Sequence, residues 1–283
     1  MYRKEVKFFS TLFNNWNAKK HSMVYVSLQQ TKVTESLRYF IEIAYNGKNY
    51  FGWQCQPNAI SVQETLEKAL STILREPIKI VGAGRTDAGV HAKQIFAHFD
   101  MLQDWNLLDL VFKLNSLLPK DIAILSIFEV NENAHARFDA LNRTYVYRVS
   151  LTKNPFSVGY AFQTHHKPNM EVMNEAAKVL LQYKDFQCFS KSKTDVNTYH
   201  CTIQIAEWIA LENELIFTIK ADRFLRNMVR AIVGTLLDVG FGKITIADLH
   251  KIIKSKNRSN AGTSVPAEGL YLTKIEYPEK IKI

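Results

Sequence analysis

The sequence predicts an α+β fold built from two ferredoxin-like, RRM-like halves, and two observations support this prediction. Strand and helix patterns follow one another in the order βαββαβ between residues 38 and 130. Nearly the same order, βαββααβ, recurs between residues 143 and 277. Because each half of this kind covers one face of its sheet with helices, we expect two antiparallel sheets that adjoin around a central cleft.

Four strands and two helices are predicted in the first half. One helix opens at Ser61, carries Glu64 at the spacing of a capping box and closes before Pro77. The second helix stops at Pro119, because proline cannot continue a helix. The predicted strands are 38–45, 78–81, 94–99 and 122–130, and the second helix is 105–118.

The second half repeats these patterns with one additional helix. The dipeptide Glu212-Asn213 separates two apolar strands as a hairpin turn, and Gly240 stops a long apolar helix. Thr245 and Asp248 form a further capping box. The predicted strands are 143–151, 202–211, 214–221 and 269–277, and the helices are 170–182, 223–239 and 246–256.

Three segments are expected along the chain. Residues 1–37 hold six lysines and arginines against two glutamates and no secretory signal pattern, so we interpret them as a flexible extension or an over-called start. The N-terminal half then spans 38–135 and carries the candidate catalytic loop. The C-terminal half spans 136–283.

Composition indicates the class of partner and the compartment. The 283 residues are 47% hydrophobic and carry a net charge of +9, which favours a polyanion such as nucleic acid as partner. The three cysteines form no CxxC pair, which is typical of a reducing cytoplasm without a disulfide framework or zinc site. No apolar run is long enough to span a membrane.

One loop has an unusual composition. The stretch GAGRTDAGVHA, residues 82–92, sets Asp87 and Arg85 among glycines and alanines. It is a poor phosphate cradle, because Asp87 stands where the dinucleotide motif has its third glycine and no Walker lysine follows. Two interpretations remain open: a surface ion pair in a tight hairpin, or a catalytic carboxylate that a nearby guanidinium keeps charged.

Five motifs in order resemble the TruA family of tRNA pseudouridine synthases. The stretch AGRTDAGVHA is similar to the signature of that family. The resemblance extends from about Arg38 to Pro278. The other motifs are YNGKNYFGWQCQP with SVQETLEKAL (45–57 and 61–70), HARFDALNRTYVYRV (135–149), FLRNMVRAIVG (224–234) and AEGLYL (267–272).

The resemblance implies an isomerase that converts uridine to pseudouridine at positions 38, 39 and/or 40 of the tRNA anticodon arm. It implies that Asp87 is the nucleophile, that Arg85 pairs with Asp87, and that no cofactor or metal is needed. Tyr145 matches the active-site tyrosine, which stacks on uracil and helps to remove the C5 proton. Leu270 matches an apolar residue beneath the base, although core packing explains Leu270 and Tyr147 equally well. The family also acts as a homodimer.

Arginines provide the candidate tRNA contacts. Arg223, Arg226 and Arg230 are spaced to share one face of the predicted helix 223–239, and the motif MVR places Arg230 near the active site. The other two are expected to contact phosphates. Segment 189–201 departs from the arginine-rich pattern expected there. Further candidates for phosphate contact are Arg137, Arg143, Lys191, Lys193, Lys251, Lys254, Lys256 and Arg258.

A non-catalytic RNA-binding protein with two RRM-like halves is the main alternative. Against it, the strand RTYVYRVSL lacks the glycines and the phenylalanine pair of an RNP1 motif. A nucleotide-binding or phosphotransfer enzyme is a weaker alternative still, because the loop 82–92 does not match a phosphate-binding motif. The histidines His91, His98 and His135 lack metal-ligand spacing and are expected to be structural or RNA-facing.

Overall fold

Helices and strands follow one another in the order that the sequence predicts, with one unpredicted addition, the two-residue strand Phe162–Gln163. The computed structural model describes residues 36–102, 105–192 and 196–283. The strands are β1 (Leu37–Tyr45), β2 (Val81–Gly82), β3 (His91–Met101), β4 (Ile122–Val130), β5 (Asn142–Ser150), β6 (Phe162–Gln163), β7 (Ile203–Leu211), β8 (Glu214–Ala221) and β9 (Leu270–Glu276). The helices are α1 (Val62–Leu74), α2 (Leu107–Leu117), α3 (Met170–Leu180), α4 (Met228–Gly240) and α5 (Ile246–Ser255).

A single nine-stranded sheet contains all of these strands. Its main strands lie in the order β4-β1-β3-β9-β5-β8-β7, while β2 pairs with β3 and β6 with β5. The main strands are antiparallel except where β3 meets β9. There the pairing is parallel, with His91 opposite Tyr271 and Ala92 opposite Leu272. The two sheets that we expected are therefore one continuous sheet, joined at this short parallel seam.

Two clusters of buried apolar side chains form the core of the unit Leu37–Ile283. The first includes Phe40 of β1 and Leu66 of α1. The second includes Phe217 of β8 and Ile232 of α4. Tyr145 packs against both clusters, so this side chain lies where the two cores meet.

The predicted strand 78–81 is mostly not part of the sheet, because its backbone groups are bonded to side chains of α1. The N–H of Ile78 donates to Ser71 Oγ at 2.8 Å, and the N–H of Ile80 donates to Glu67 Oε1 at 3.2 Å. Gln63 Nε2 in turn donates to the carbonyl of Ile80. Strand β2 therefore contains only two residues, Val81 and Gly82.

Some predictions fall outside the described part of the chain. The extension over residues 1–37 lies there almost entirely, and so does Lys193. Among the described residues, no helix is long and apolar enough to cross a bilayer.

Each outer strand of the sheet is bonded to an asparagine side chain of a neighbouring helix. On β4, Asn115 Oδ1 accepts from the N–H of Ile124 at 2.8 Å, and Asn115 Nδ2 donates to its carbonyl at 2.9 Å. On β7, Asn174 forms the same pair of bonds with Trp208 at 2.7 and 2.9 Å. Because unpaired edge groups invite pairing with other chains, these amides both hold the helices and protect the edges.

We predict that Asn174→Ala lowers the free energy of unfolding by about 1 kcal/mol, because two backbone hydrogen bonds are lost while alanine improves helix propensity. Urea unfolding followed by tryptophan fluorescence measures the change. Glu175→Ala, an exposed neighbour on the same helix, is the control and should shift stability by less than about 0.5 kcal/mol. Equal losses in the two variants would contradict the prediction.

Candidate active site

The loop between β2 and β3 is packed tightly against the turn that follows β1. The backbone N–H of Trp53 donates to the carbonyl of Thr86 at 3.3 Å, and the hydroxyls of Tyr45 and Thr86 are 2.8 Å apart. Gly52, at φ +92°, lies so close to the Thr86 carbonyl that a side chain there would clash. The neighbouring residue, Asp87, is thereby held in one place with its side chain 28% exposed.

Two guanidinium groups face the Asp87 carboxylate. Arg230 Nη1 lies 3.4 Å from Oδ2, and Arg226 Nε lies 3.9 Å from Oδ1. Arg230 is oriented from its other side, because its Nε donates to the carbonyl of Val265 at 2.7 Å. The Arg226 side chain is 61% exposed and that of Arg230 only 22% exposed. Arg230 is therefore the fixed partner of the carboxylate, and Arg226 is the partner open to solvent.

Arg223, Arg226 and Arg230 do not share one face of a helix, which corrects the prediction of a helix over 223–239. Helix α4 begins only at Met228, because Asn227 adopts a left-handed conformation with φ 66°. The side-chain Nδ2 of Asn227 donates to Ser264 Oγ at 2.6 Å. Arg226 approaches Asp87 from the turn before α4, whereas Arg230 approaches from the first turn of the helix itself.

The expected ion pair between Arg85 and Asp87 is not formed. Arg85 is exposed and forms no ion pair within the ranges that the structure describes. Closeness in sequence, two positions, therefore does not bring the two charges within ion-pair distance. The cations at Asp87 come instead from α4 and the turn before it.

Tyr145 lies between the two apolar clusters, on β5. Its ring meets the edge of Phe224 with ring centres 5.2 Å apart and planes at 88°. Burial raises the pKa of Tyr145 to about 12; nearby Asp87 adds to this shift and Arg143 opposes it. The phenol is therefore neutral at physiological pH and carries a hydrogen that it can donate.

Tyr147 and Leu270 pair across β5 and β9 and are both buried. The Tyr147 hydroxyl donates to the carbonyl of Pro266 at 2.8 Å. This contact agrees with the core interpretation of Tyr147. Leu270 belongs to the second apolar cluster, and its contact with a substrate base remains a prediction.

Arg143 binds the backbone of this region. Its guanidinium donates to the carbonyls of Ala140, Asp222, Arg137 and Ala83, at 2.9, 2.8, 2.7 and 3.3 Å. One side chain thus connects the start of the Asp87 loop with β8 and with the turn before β5. Arg143 thus positions these backbone segments, and its contact with a tRNA phosphate stays a prediction. Arg137 is exposed, with its guanidinium 5.6 Å from the Phe138 ring centre.

The remaining candidates for phosphate contact differ in how they are paired. Lys251 pairs with Asp248, and Lys256 pairs with Asp185. Arg258 donates to the carbonyls of Ala261 and Gly262 and to Ser264 Oγ. Lys191 and Lys254 are exposed. These contacts hold Lys256 and Arg258 in defined orientations on the surface.

Sequence reasoning missed three contributors to the site. Phe224 lies in the motif FLRNMVRAIVG, and its ring makes an edge-to-face contact with Tyr145 that the motif does not predict. Thr86 attaches the loop through its hydroxyl and its carbonyl. The carbonyl of Val265 orients Arg230, and no sequence pattern predicts a contact that uses only backbone.

The described residues contain no group of three or more histidine, cysteine or acidic side chains that would hold a metal ion. The groups that the fold gathers at Asp87 are one carboxylate, two guanidinium groups and a neutral phenol. Such a set can stabilise a developing charge or form a covalent bond through the carboxylate.

Comparison with known proteins identifies the family. The family described as tRNA pseudouridine synthase matches residues 41–139 and 176–278, ranges that contain Asp87 and Arg230 but not Tyr145. A Bacteroides thetaiotaomicron protein named tRNA pseudouridine synthase A is 53% identical over 247 residues, covering 86% of this chain and 92% of that protein. A Clostridium acetobutylicum protein of the same name is 41% identical over 239 residues, covering 84% and 98%. The chain therefore belongs to the tRNA pseudouridine synthase family, whose members are isomerases.

Proposed function

We propose that the protein converts uridine to pseudouridine at one or more of positions 38, 39 and 40 of the tRNA anticodon arm, with Asp87 as nucleophile and without a cofactor. The observation that carries this proposal is the Asp87 carboxylate, held by a docked loop and faced by Arg230 at 3.4 Å and Arg226 at 3.9 Å. Its neutral neighbour Tyr145 supplies an aromatic face and a hydroxyl.

The reaction breaks the bond between N1 of uracil and C1′ and forms a bond between C5 and C1′. A proton leaves C5 and N1 gains one, so atoms balance without an external reactant. Asp87 acts at C1′, at C6 of uracil, or by stabilising an elimination that forms a glycal. In each route Arg230 and Arg226 hold the carboxylate and offset negative charge near it.

Extrusion of the target base from the anticodon arm is part of the proposal, because its reacting atoms are inaccessible in a stacked stem. Base flipping costs a few kcal/mol. An aromatic ring such as that of Tyr145 offsets part of this cost by stacking on the extruded uracil.

Charged surface near the site supports tRNA binding. A groove of about 280 Å³ is lined by Lys191, Lys256 and Arg258 together with serine, glutamine, asparagine and tyrosine side chains. It lies beside the active site, because the Lys191 N–H donates to the carbonyl of Arg226 at 3.0 Å. We assign tRNA phosphates to this groove, to Arg223 and Arg226, and to exposed Arg137.

We also infer that the chain consists of two ferredoxin-like halves, acts as a homodimer and works in the cytoplasm. The strand orders β4-β1-β3-β2 and β9-β5-β8-β7 support the first point, because each is the ferredoxin-like order 4-1-3-2. The other two points rest on the family resemblance and on the cysteine usage of the sequence.

We predict that Asp87→Asn and Asp87→Ala reduce pseudouridine formation about a thousandfold or more, because the nucleophile is lost. Affinity for tRNA should change little, because phosphate contacts supply most of it. The assay incubates unmodified tRNA with each protein in chelator, maps pseudouridine chemically and measures binding at stated salt. Asp109→Asn, an exposed acid on α2, is the control. Binding by wild type without modification would instead favour the RNA-binding alternative.

We predict that Arg230→Lys lowers kcat/KM for tRNA at least about tenfold. Lysine keeps the charge but lacks the fork that reaches both Val265 and Asp87. Arg226→Lys, at the exposed side, should act mainly on KM. Steady-state kinetics on an anticodon-arm RNA separates the two effects, and identical kinetic changes in both variants would contradict the distinction.

We predict that Tyr145→Phe slows the chemical step about a hundredfold, within the range for loss of a proton-transfer group, and leaves tRNA affinity unchanged. Single-turnover rates and binding by filter retention provide the two values. Because the pKa of Tyr145 is about 12, its ionisation should not affect the rate between pH 6 and about pH 10. A fully active Tyr145→Phe variant would show that the hydroxyl is dispensable.

A further inference from the structure

A buried histidine lies at the seam of the sheet, directly after the Asp87 loop. His91 is the first residue of β3 and is 2% exposed. Its ring stacks between Tyr271, with ring centres 4.6 Å apart, and Tyr160, with ring centres 5.6 Å apart. The Tyr271 hydroxyl donates to the carbonyl of Tyr160 at 2.7 Å, which closes the cage around the imidazole.

The two ring nitrogens of His91 have different partners. The N–H of Gly47 donates to Nδ1 at 3.1 Å, so Nδ1 carries no proton. The neutral ring then carries its proton on Nε2, which lies 3.2 Å from the carbonyl of Glu268 and donates to it. The contacts thus select one tautomer, and that tautomer links two backbone segments that are more than 200 residues apart in sequence.

One of these segments supports the Asp87 loop, and the other supports Arg230. Gly47 belongs to the turn on which the Asp87 loop packs, and in that turn the carbonyl of Tyr50 accepts from the N–H of Gly89 at 3.2 Å. Glu268 lies three residues after Val265, whose carbonyl orients Arg230. A displacement of either segment would change the separation of the Asp87 and Arg230 side chains.

We propose that His91, as the neutral Nε2–H tautomer, is a positioning residue that sets the distance between Asp87 and Arg230. It connects the support of the Asp87 loop to the support of Arg230 and does not itself touch the reacting atoms. The expected effect of His91 on the reaction rate rests on the proposed function. The structural link can be tested without turnover.

Acid should break this link. Protonation converts Nδ1 from an acceptor into a donor that faces the N–H of Gly47. Burial lowers the pKa of His91, the charge of Arg148 lowers it further, and the carbonyls of Glu268 and Gly159 oppose the shift. The other charged or titratable groups around the cage are Lys48 over Tyr160, Lys93 and Arg148 over Tyr271, and the two tyrosines.

The sign of the pH dependence follows from this lowered pKa. Above the ordinary value of about 6.5 the ring is neutral in both the folded and the unfolded chain. As pH falls below that value, the unfolded chain binds the proton first, so the contribution of His91 to stability decreases. The Asp87 loop should likewise become less ordered as the pH falls.

The test compares His91→Phe, which keeps a ring between the tyrosines, with His91→Asn, whose Oδ1 can accept the Gly47 N–H. Hydrogen exchange of peptides that cover residues 86–91 and 266–270 is the first measurement, and single-turnover rate and tRNA affinity are the second. His98→Phe is the matched control, because His98 is also buried on β3 and accepts one backbone N–H, from Ala136 at 3.1 Å.

We expect both segments to exchange faster in His91→Phe, with a rate about 10- to 100-fold lower at unchanged tRNA affinity, and partial rescue in His91→Asn. In wild type, the same segments should lose protection below about pH 6.5, after correction for intrinsic exchange. His98→Phe should show neither effect. If His91→Phe does not fold, His91→Asn and the wild-type pH series still decide the question.

The inference would be overturned if residues 86–91 and 266–270 exchanged hydrogen as slowly in the His91 variants as in wild type. It would also be overturned if their protection in wild type did not depend on pH. Failure of the proposed function looks different, because wild-type protein would then form no pseudouridine. The exchange measurements would still report whether His91 links the two segments.

Discussion

The parallel contact between β3 and β9 is the constraint on which the candidate active site depends. Asp87 precedes β3, Tyr145 lies on β5 beside β9, and Arg230 is oriented by the segment that leads into β9. None of these side chains is near another in sequence. The seam has only His91 and Ala92 paired with Tyr271 and Leu272, so the side-chain contacts around it are needed to hold the two segments together.

Backbone carbonyls orient the charged side chains of this site. Arg143 donates to four carbonyls, and Arg230 donates to the carbonyl of Val265 while it faces Asp87. A guanidinium has five donors in a rigid plane, so it can hold several segments at once. The same side chains therefore connect segments of the fold and hold positive charge in fixed positions, which is the arrangement that preorganised electrostatics requires.

Hydrogen bonds made by polar side chains accompany the two places where the simple patterns failed. The apolar run 78–81 looks like a strand, but Ser71 and Glu67 of α1 occupy its N–H groups. The residues before Met228 continue a helical pattern, but Asn227 reverses the backbone and bonds to Ser264. Both exceptions depend on partners that are remote in sequence or on a single left-handed residue, and hydrophobic periodicity reports neither.

Local pattern was sufficient for the order of elements and for most of their bounds, whereas Asp87 was selected by the family resemblance of its loop. Periodicity, prolines and capping residues act within a few positions, so the chain itself specifies where strands such as 122–130 and 214–221 lie. Tertiary packing determined the cations that face Asp87, since Arg85 forms no ion pair with it within the described residues while Arg226 and Arg230 lie within 4 Å. An ion pair depends on distance in space, and these partners, more than 130 residues apart in sequence, come close only when the chain has folded.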